Sequence, residues 1–148
     1  MTEKQIKNKE LIEQYPFLQP RNVWTDEIPE DFDYNYTRLD EIPDGWREAF
    51  GIELCEELRG VLEETNYLEK FRFSQIKEKY GRLCLYNFGA PEEVYSVIRK
   101  YCNLSERTCI CCGKPATMMT TDWITPRCDA CATGEEAMPI EKWFNEVE

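Results

Sequence analysis

Apolar residues in this chain change period several times, and each change marks an element. Ile6, Leu11 and Ile12 sit among charges, which predicts a short amphipathic helix over residues 2–15. Pro16 and Pro20 end it. Residues 16–43 lose the helical period, carry Pro20, Pro29 and Pro43, and interleave Phe17, Trp24, Phe32, Tyr34 and Tyr36. So many rings predict an extended arm packed across the body, because a free linker would not carry them.

Leu54, Cys55, Leu58, Val61 and Leu62 recur at helical spacing and predict a main helix over 44–65, capped by Asp44 and open to a break near Gly51. At about 100° per residue, Glu53, Glu56, Glu57, Glu63 and Glu64 fall on the opposite face. Cys55 lies on the apolar side and reads as core. Phe71 and Phe73 then alternate with charges, Lys79-Tyr80-Gly81 punctuates, and Leu83, Leu85 and Tyr86 follow, which predicts an antiparallel hairpin over 70–88. Lys70, Arg72, Lys77, Lys79 and Arg82 form a basic cluster, either a solvated strand face or a partner for the acidic helix. Pro91 at a first helical position, with Glu92 and Glu93 behind it, opens another helix whose stripe is Val94, Val97, Ile98, Tyr101 and Cys102. Cys84 and Cys102 read as core thiols.

The pattern gives an α+β protein: two to three helices packed on a small antiparallel sheet, with a C-terminal zinc-ribbon subdomain. Its expected divisions are an N-terminal helix and arm (1–43), an α+β core (44–106), a ribbon (107–133) and a tail (134–148). Trp143 and Phe144 are expected to dock that tail on the body.

The ribbon rests on cysteine spacing. Cys109 and Cys112 form one C-x₂-C pair and Cys128 and Cys131 another, with 15 residues between. Each pair aims two sulfurs at one point, and two pairs complete a tetrahedron around one zinc ion. Gly113 after the first pair suits the tight turn. Cys111 competes with Cys112 as a ligand, and iron competes with zinc in such a cage. Four thiolates leave no open position, so the zinc would be structural. Met118, Thr120 and Trp123-Ile124 would form the ribbon's own hairpin.

Composition narrows the chemistry. The 148 residues include no histidine, which removes every imidazole-based mechanism. No phosphate loop, nucleophile elbow or Asp-rich metal loop is present, so an enzyme is not expected. With no signal peptide or membrane-spanning run, the eight cysteines suit a reducing cytoplasm. The net charge is -11, and residues 1–70 hold 18 of the 29 acids but only 8 of the 18 bases. That half should repel nucleic acid and attract a basic protein. Its candidate docking surface is Glu53, Glu56, Glu57, Glu63 and Glu64, extended by Asp26, Glu27, Glu30, Asp31 and Asp33.

Gly45-Trp46, the run Gln75 to Leu83, the run Cys109 to Pro115, Trp123-Ile124 and Arg127-Cys128-Asp129 together resemble a family of uncharacterised zinc-ribbon proteins of phages and prophages. The resemblance covers roughly residues 40–131 and implies an accessory phage protein with no catalytic residue. In size, acidity and lack of catalytic motifs the chain is also similar to phage anti-CRISPR proteins that inhibit the effector nuclease of type II systems. That likeness implies a protein partner in the host cytoplasm and a block on DNA loading or cleavage. The alternative is a zinc-ribbon adaptor or regulator that contacts nucleic acid or transcription machinery through Arg107, Lys114 and Arg127. Direct nucleic-acid binding is not expected at this net charge.

Overall fold

The computed structural model describes residues 1–147 and is α+β. Helix α1 (Glu3–Gln14) starts at a capping box in which the Thr2 hydroxyl accepts from the Gln5 N–H and Gln5 reaches back. A 3₁₀ turn, Pro16–Leu18, drives Phe17 and Leu18 into the core. The segment 44–64 is helical throughout but not uniform. A short α-turn, α2 (Asp44–Trp46), runs into a π-helical turn (Arg47–Gly51) and then α3 (Ile52–Glu64). Gly51 therefore lies in a widened turn, not at a break. Asp44 does not cap: Pro43 holds that position, and Asp44 instead pairs with Arg47 at 2.7 Å. Similarly, Pro91 caps α4 (Glu92–Ser105) from outside rather than opening it.

The hairpin forms as its sequence requires. Strands β1 (Phe73–Lys79) and β2 (Arg82–Asn87) pair antiparallel through a two-residue turn. Tyr80 and Gly81 both take positive φ, 51° and 79°, as the tight turn between right-twisted strands demands. One core gathers beneath: Leu54, Leu58 and Leu62 of α3, Val94, Ile98 and Tyr101 of α4, Ile76, Leu83 and Leu85 of the hairpin, and Phe17, Phe71 and Phe73 edge to face. Cys55 and Cys102 are in this core, and burial pushes the Cys55 thiol up to about 12. Cys84 is not: it pairs with Lys77 across the strands and lies half-buried on the outward side.

The arm is less buried than its rings suggest. Trp24 is exposed, while Phe32 packs against Tyr34 and Tyr36. The arm is held down by polar contacts instead. Gln5 and Asn8 of α1 donate to the Asp33 and Tyr34 carbonyls at 2.9 and 2.8 Å.

After α4 a second sheet forms from β3 (Met118–Thr120), β4 (Thr125–Arg127) and β5 (Ala137–Pro139), in the order β4-β3-β5, all antiparallel. A short helix, α5 (Asp129–Ala132), follows β4, and α6 (Ile140–Val147) follows β5. The expected tail is thus part of the ribbon: β5 pairs with β3, and Phe144 of α6 lies 4.3 Å from the Arg107 guanidinium. The physical reason is that a two-stranded ribbon leaves the β3 edge open, and β5 closes it. Glu148, last in that tail, lies outside the described residues. No helix of the described residues is long and apolar enough to cross a membrane.

Candidate metal centre

Two short turns build the centre. In the first, the Cys109 N–H donates to the Lys114 carbonyl at 2.7 Å and the Gly113 N–H to the Cys109 carbonyl at 3.0 Å. Gly113 takes φ 86°, which closes the turn behind Cys112. In the second, Cys128 precedes α5, and the Ala132 N–H returns to its carbonyl at 3.0 Å. The ribbon sheet sets the two turns face to face, since Ile110 donates to the Pro126 carbonyl at 2.9 Å.

The sulfurs of Cys109, Cys112, Cys128 and Cys131 all lie within 4.8 Å of one another, and those of Cys112 and Cys128 are 3.6 Å apart. Tetrahedral metal–sulfur bonds of about 2.3 Å would place sulfurs roughly 3.8 Å apart, so the cage is close to the size of one ion. Cys111 and Cys112 are both exposed, but only Cys112 has its sulfur in the group, which favours Cys112 as the ligand.

The electrostatics also fit a cation. Burial raises the Cys109 thiol, but backbone N–H groups of Cys128, Cys112 and Cys111 outweigh it and bring the pKa down to about 6. The backbone N–H of Cys131 lowers Cys128 in the same way. Cys131 is pushed up, first by its hydrogen bond to Cys128. At Cys112 the Lys114 backbone N–H acts downward, but burial and the neighbouring sulfurs leave it raised. Two thiols go down and two go up because four thiolates cannot share this space unless a cation compensates them. A metal ion would supply that charge and displace the shared protons.

Protons and metal therefore compete for the same sulfurs. Occupancy is expected to fall as pH drops, and steeply below about 6, where the Cys109 thiol also takes a proton. A chromogenic indicator following metal release from about pH 7.5 to about pH 4 measures this. Retention of the ion across that range would contradict the thiolate cage.

The body braces the first turn. The Gly45 N–H donates to the Ile110 carbonyl at 2.8 Å, and the Trp46 indole N–H to the Thr108 carbonyl at 2.8 Å. The hairpin tip braces the other side, since a Cβ on Gly81 would meet Pro126 and Ile124 at 3.3 and 3.4 Å. Spacing alone does not locate these contacts; the Gly-Trp pair at 45–46 was the available signal.

The acids expected to form one open face are divided. Glu56 accepts from the Tyr15 hydroxyl, and Glu57 accepts from Tyr101 at 2.7 Å and Lys100 at 2.6 Å. Glu63 pairs with Arg59 at 2.6 Å, and Asp26 with Arg72 at 3.2 Å. Asp33 turns onto its own loop through Asn35. Glu53, Glu64, Glu27, Glu30 and Asp31 are exposed and in no ion pair among the described residues. The helix face is partly consumed because Tyr15, Arg59 and the α4 residues Lys100 and Tyr101 supply donors beside it. In the basic cluster, Arg72 and Arg82 pair with Asp26 and Glu106, not with α3.

Comparison with family models, with curated proteins and with solved structures returns no match for this chain.

Proposed function

We propose that this chain is a binding protein, without catalysis of its own, held together by one structural zinc and docking on a basic protein through its acidic arm. The observation that carries the reading is the state of Glu27, Glu30 and Asp31. They are exposed and uncompensated on a segment that α1 and Arg72 hold in place. Fixed charges on a braced loop steer a partner and bind it with little ordering cost. Zinc is the expected ion because paired C-x₂-C turns with four sulfurs and no open position suit it. Metal analysis is expected to return about one zinc per chain; iron would overturn that part.

The likeness to phage anti-CRISPR proteins supports one proposed partner: the effector nuclease of a type II CRISPR system, whose guide–target duplex lies in a positively charged channel. The acidic arm would compete with DNA for that basic surface. Purified nuclease, guide and target should show inhibited cleavage, reversed by the combined substitutions Glu27→Lys, Glu30→Lys and Asp31→Lys. The inhibition should also weaken as salt rises from about 50 to about 500 mM. Unchanged cutting at large molar excess, across several type II effectors, removes the reading.

A further inference from the structure

The outward face of the β1–β2 hairpin breaks the charge rule of the molecule. Cross-strand register places Gln75 opposite Tyr86, Lys77 opposite Cys84 and Lys79 opposite Arg82. These six share one side, because alternate strand residues do. The other side carries Ile76, Glu78, Leu83 and Leu85, three of them buried in the core. The outward side thus holds three cations and no acid, in a chain with 29 acids. Arg82 is neutralised by Glu106, but Lys77 and Lys79 are in no ion pair among the described residues.

Exposed aromatic rings lie on this face and around the hairpin tip. Tyr86 is exposed within the face, and Tyr80 at the hairpin tip is 72% exposed with the Lys79 ammonium 6.0 Å from its ring centre. Trp123 is 75% exposed in the β3–β4 turn, next to Ile124, which abuts the tip at Gly81. Rings left in water beside free lysines, on a rigid sheet, match one kind of ligand well. Bases stack on rings while phosphates meet ammonium groups, and neither contact reads sequence.

We infer that this face binds single-stranded nucleic acid, stacking bases on Tyr86, Tyr80 and Trp123 and placing phosphates on Lys77 and Lys79. The net charge of -11 makes the binding weak and confines it to this patch. A duplex is disfavoured because its bases are already stacked. The inference stands apart from the arm and from any protein partner.

The test uses the full zinc-loaded chain and fluorescein-labelled 12-nucleotide dT and dA strands, read by anisotropy. A 12-base-pair duplex and a 12-residue poly-glutamate peptide are the comparison probes. Single strands are expected to bind more tightly than either. Two phosphates held by lysine predict a roughly sevenfold loss between about 50 and about 200 mM salt. Tyr86→Ala should weaken binding at least about fivefold. The pair Lys77→Glu/Lys79→Glu should abolish it. The pair Lys4→Glu/Lys7→Glu changes net charge equally on α1 and should cost far less. Quenching of tryptophan fluorescence on binding should disappear in Trp123→Phe, which needs no change to the sheet. No binding at about 50 mM salt, equal loss from both lysine pairs, or tighter binding of poly-glutamate would each overturn the proposal.

Discussion

Cys109→Ser is expected to take the metal content from about one ion per chain to near zero and to unfold the ribbon. Cys109 is fully buried, and its sulfur closes the cage from the body side. The ribbon has little else to hold it. Its three strands have three residues each, and its buried apolar residues besides the ligands are, among the described residues, Met119, Pro126, Ala132 and Ile140. Such a module cannot offset its own chain entropy by burial. Structural zinc supplies about 10–16 kcal/mol of apparent binding energy in small modules, and most of that becomes folding energy. A serine hydroxyl is a far poorer ligand at neutral pH, and the three remaining thiols would be left around an incomplete site. The measurement is metal stoichiometry together with amide exchange across residues 107–147. Protection there should collapse, while β1, β2, α3 and α4 keep most of theirs. A strong chelator should reproduce the pattern in the unaltered chain, and Cys111→Ser should do nothing, since that sulfur is exposed and outside the cage. A Cys109→Ser protein that keeps its ion and its ribbon would refute the closed four-sulfur centre.

How much of this could be read from the chain depends on the range of the forces involved. Helical stripes are local, so the burial of Leu54, Leu58, Leu62, Val94 and Ile98 follows from spacing alone. The hairpin is local too, since its turn needs only Tyr80-Gly81 between alternating residues. The metal ligands are legible because C-x₂-C fixes two sulfurs by covalent geometry, and a second copy can only complement it. Long-range pairings are not legible. Ala137–Pro139 has no strand pattern; it becomes a strand because β3 offers an unsatisfied edge. The acid row on α3 had a visible period, but nothing in the period says that Tyr15, Lys100 and Tyr101 would come to meet it. Trp24 shows the opposite error. A tryptophan in a sequence reads as buried weight, yet here Asn22 accepts from the Trp24 and Thr25 N–H groups and turns the loop outward. Asp26 follows at φ 62°, anchored to Arg72.

Gly45→Ala is expected to cost about 3–5 kcal/mol, as much as truncating a large core residue, without removing the metal. A Cβ at position 45 would lie 2.5 Å from the carbonyl carbon and oxygen of Ile110, and closer still to the carbonyl oxygen of Cys109. All three atoms are backbone, so no rotamer change relieves the clash. The first cysteine turn cannot retreat either, because the cage holds it on one side and the Ile110–Pro126 hydrogen bond on the other. Gly113 closes the remaining route: its own missing Cβ would sit 2.7 Å from the Gly45 carbonyl and 3.3 Å from Ala49. The start of α2 must therefore move away, breaking the Gly45–Ile110 and Trp46–Thr108 hydrogen bonds and opening the packing around Trp46, which has no exposed surface. For a chain of this length the loss corresponds to a melting temperature lower by roughly 6–20 °C. Gly60→Ala is the internal control. It lies in α3 with nothing within 4 Å of the new methyl, so it should raise stability by up to about 1 kcal/mol. Calorimetry on the two variants, with metal content measured in parallel, separates a broken junction from a broken cage. If Gly45→Ala melts with the unaltered chain, the helix start is not seated on the cysteine turn, and the ribbon and body are not the single braced unit described above.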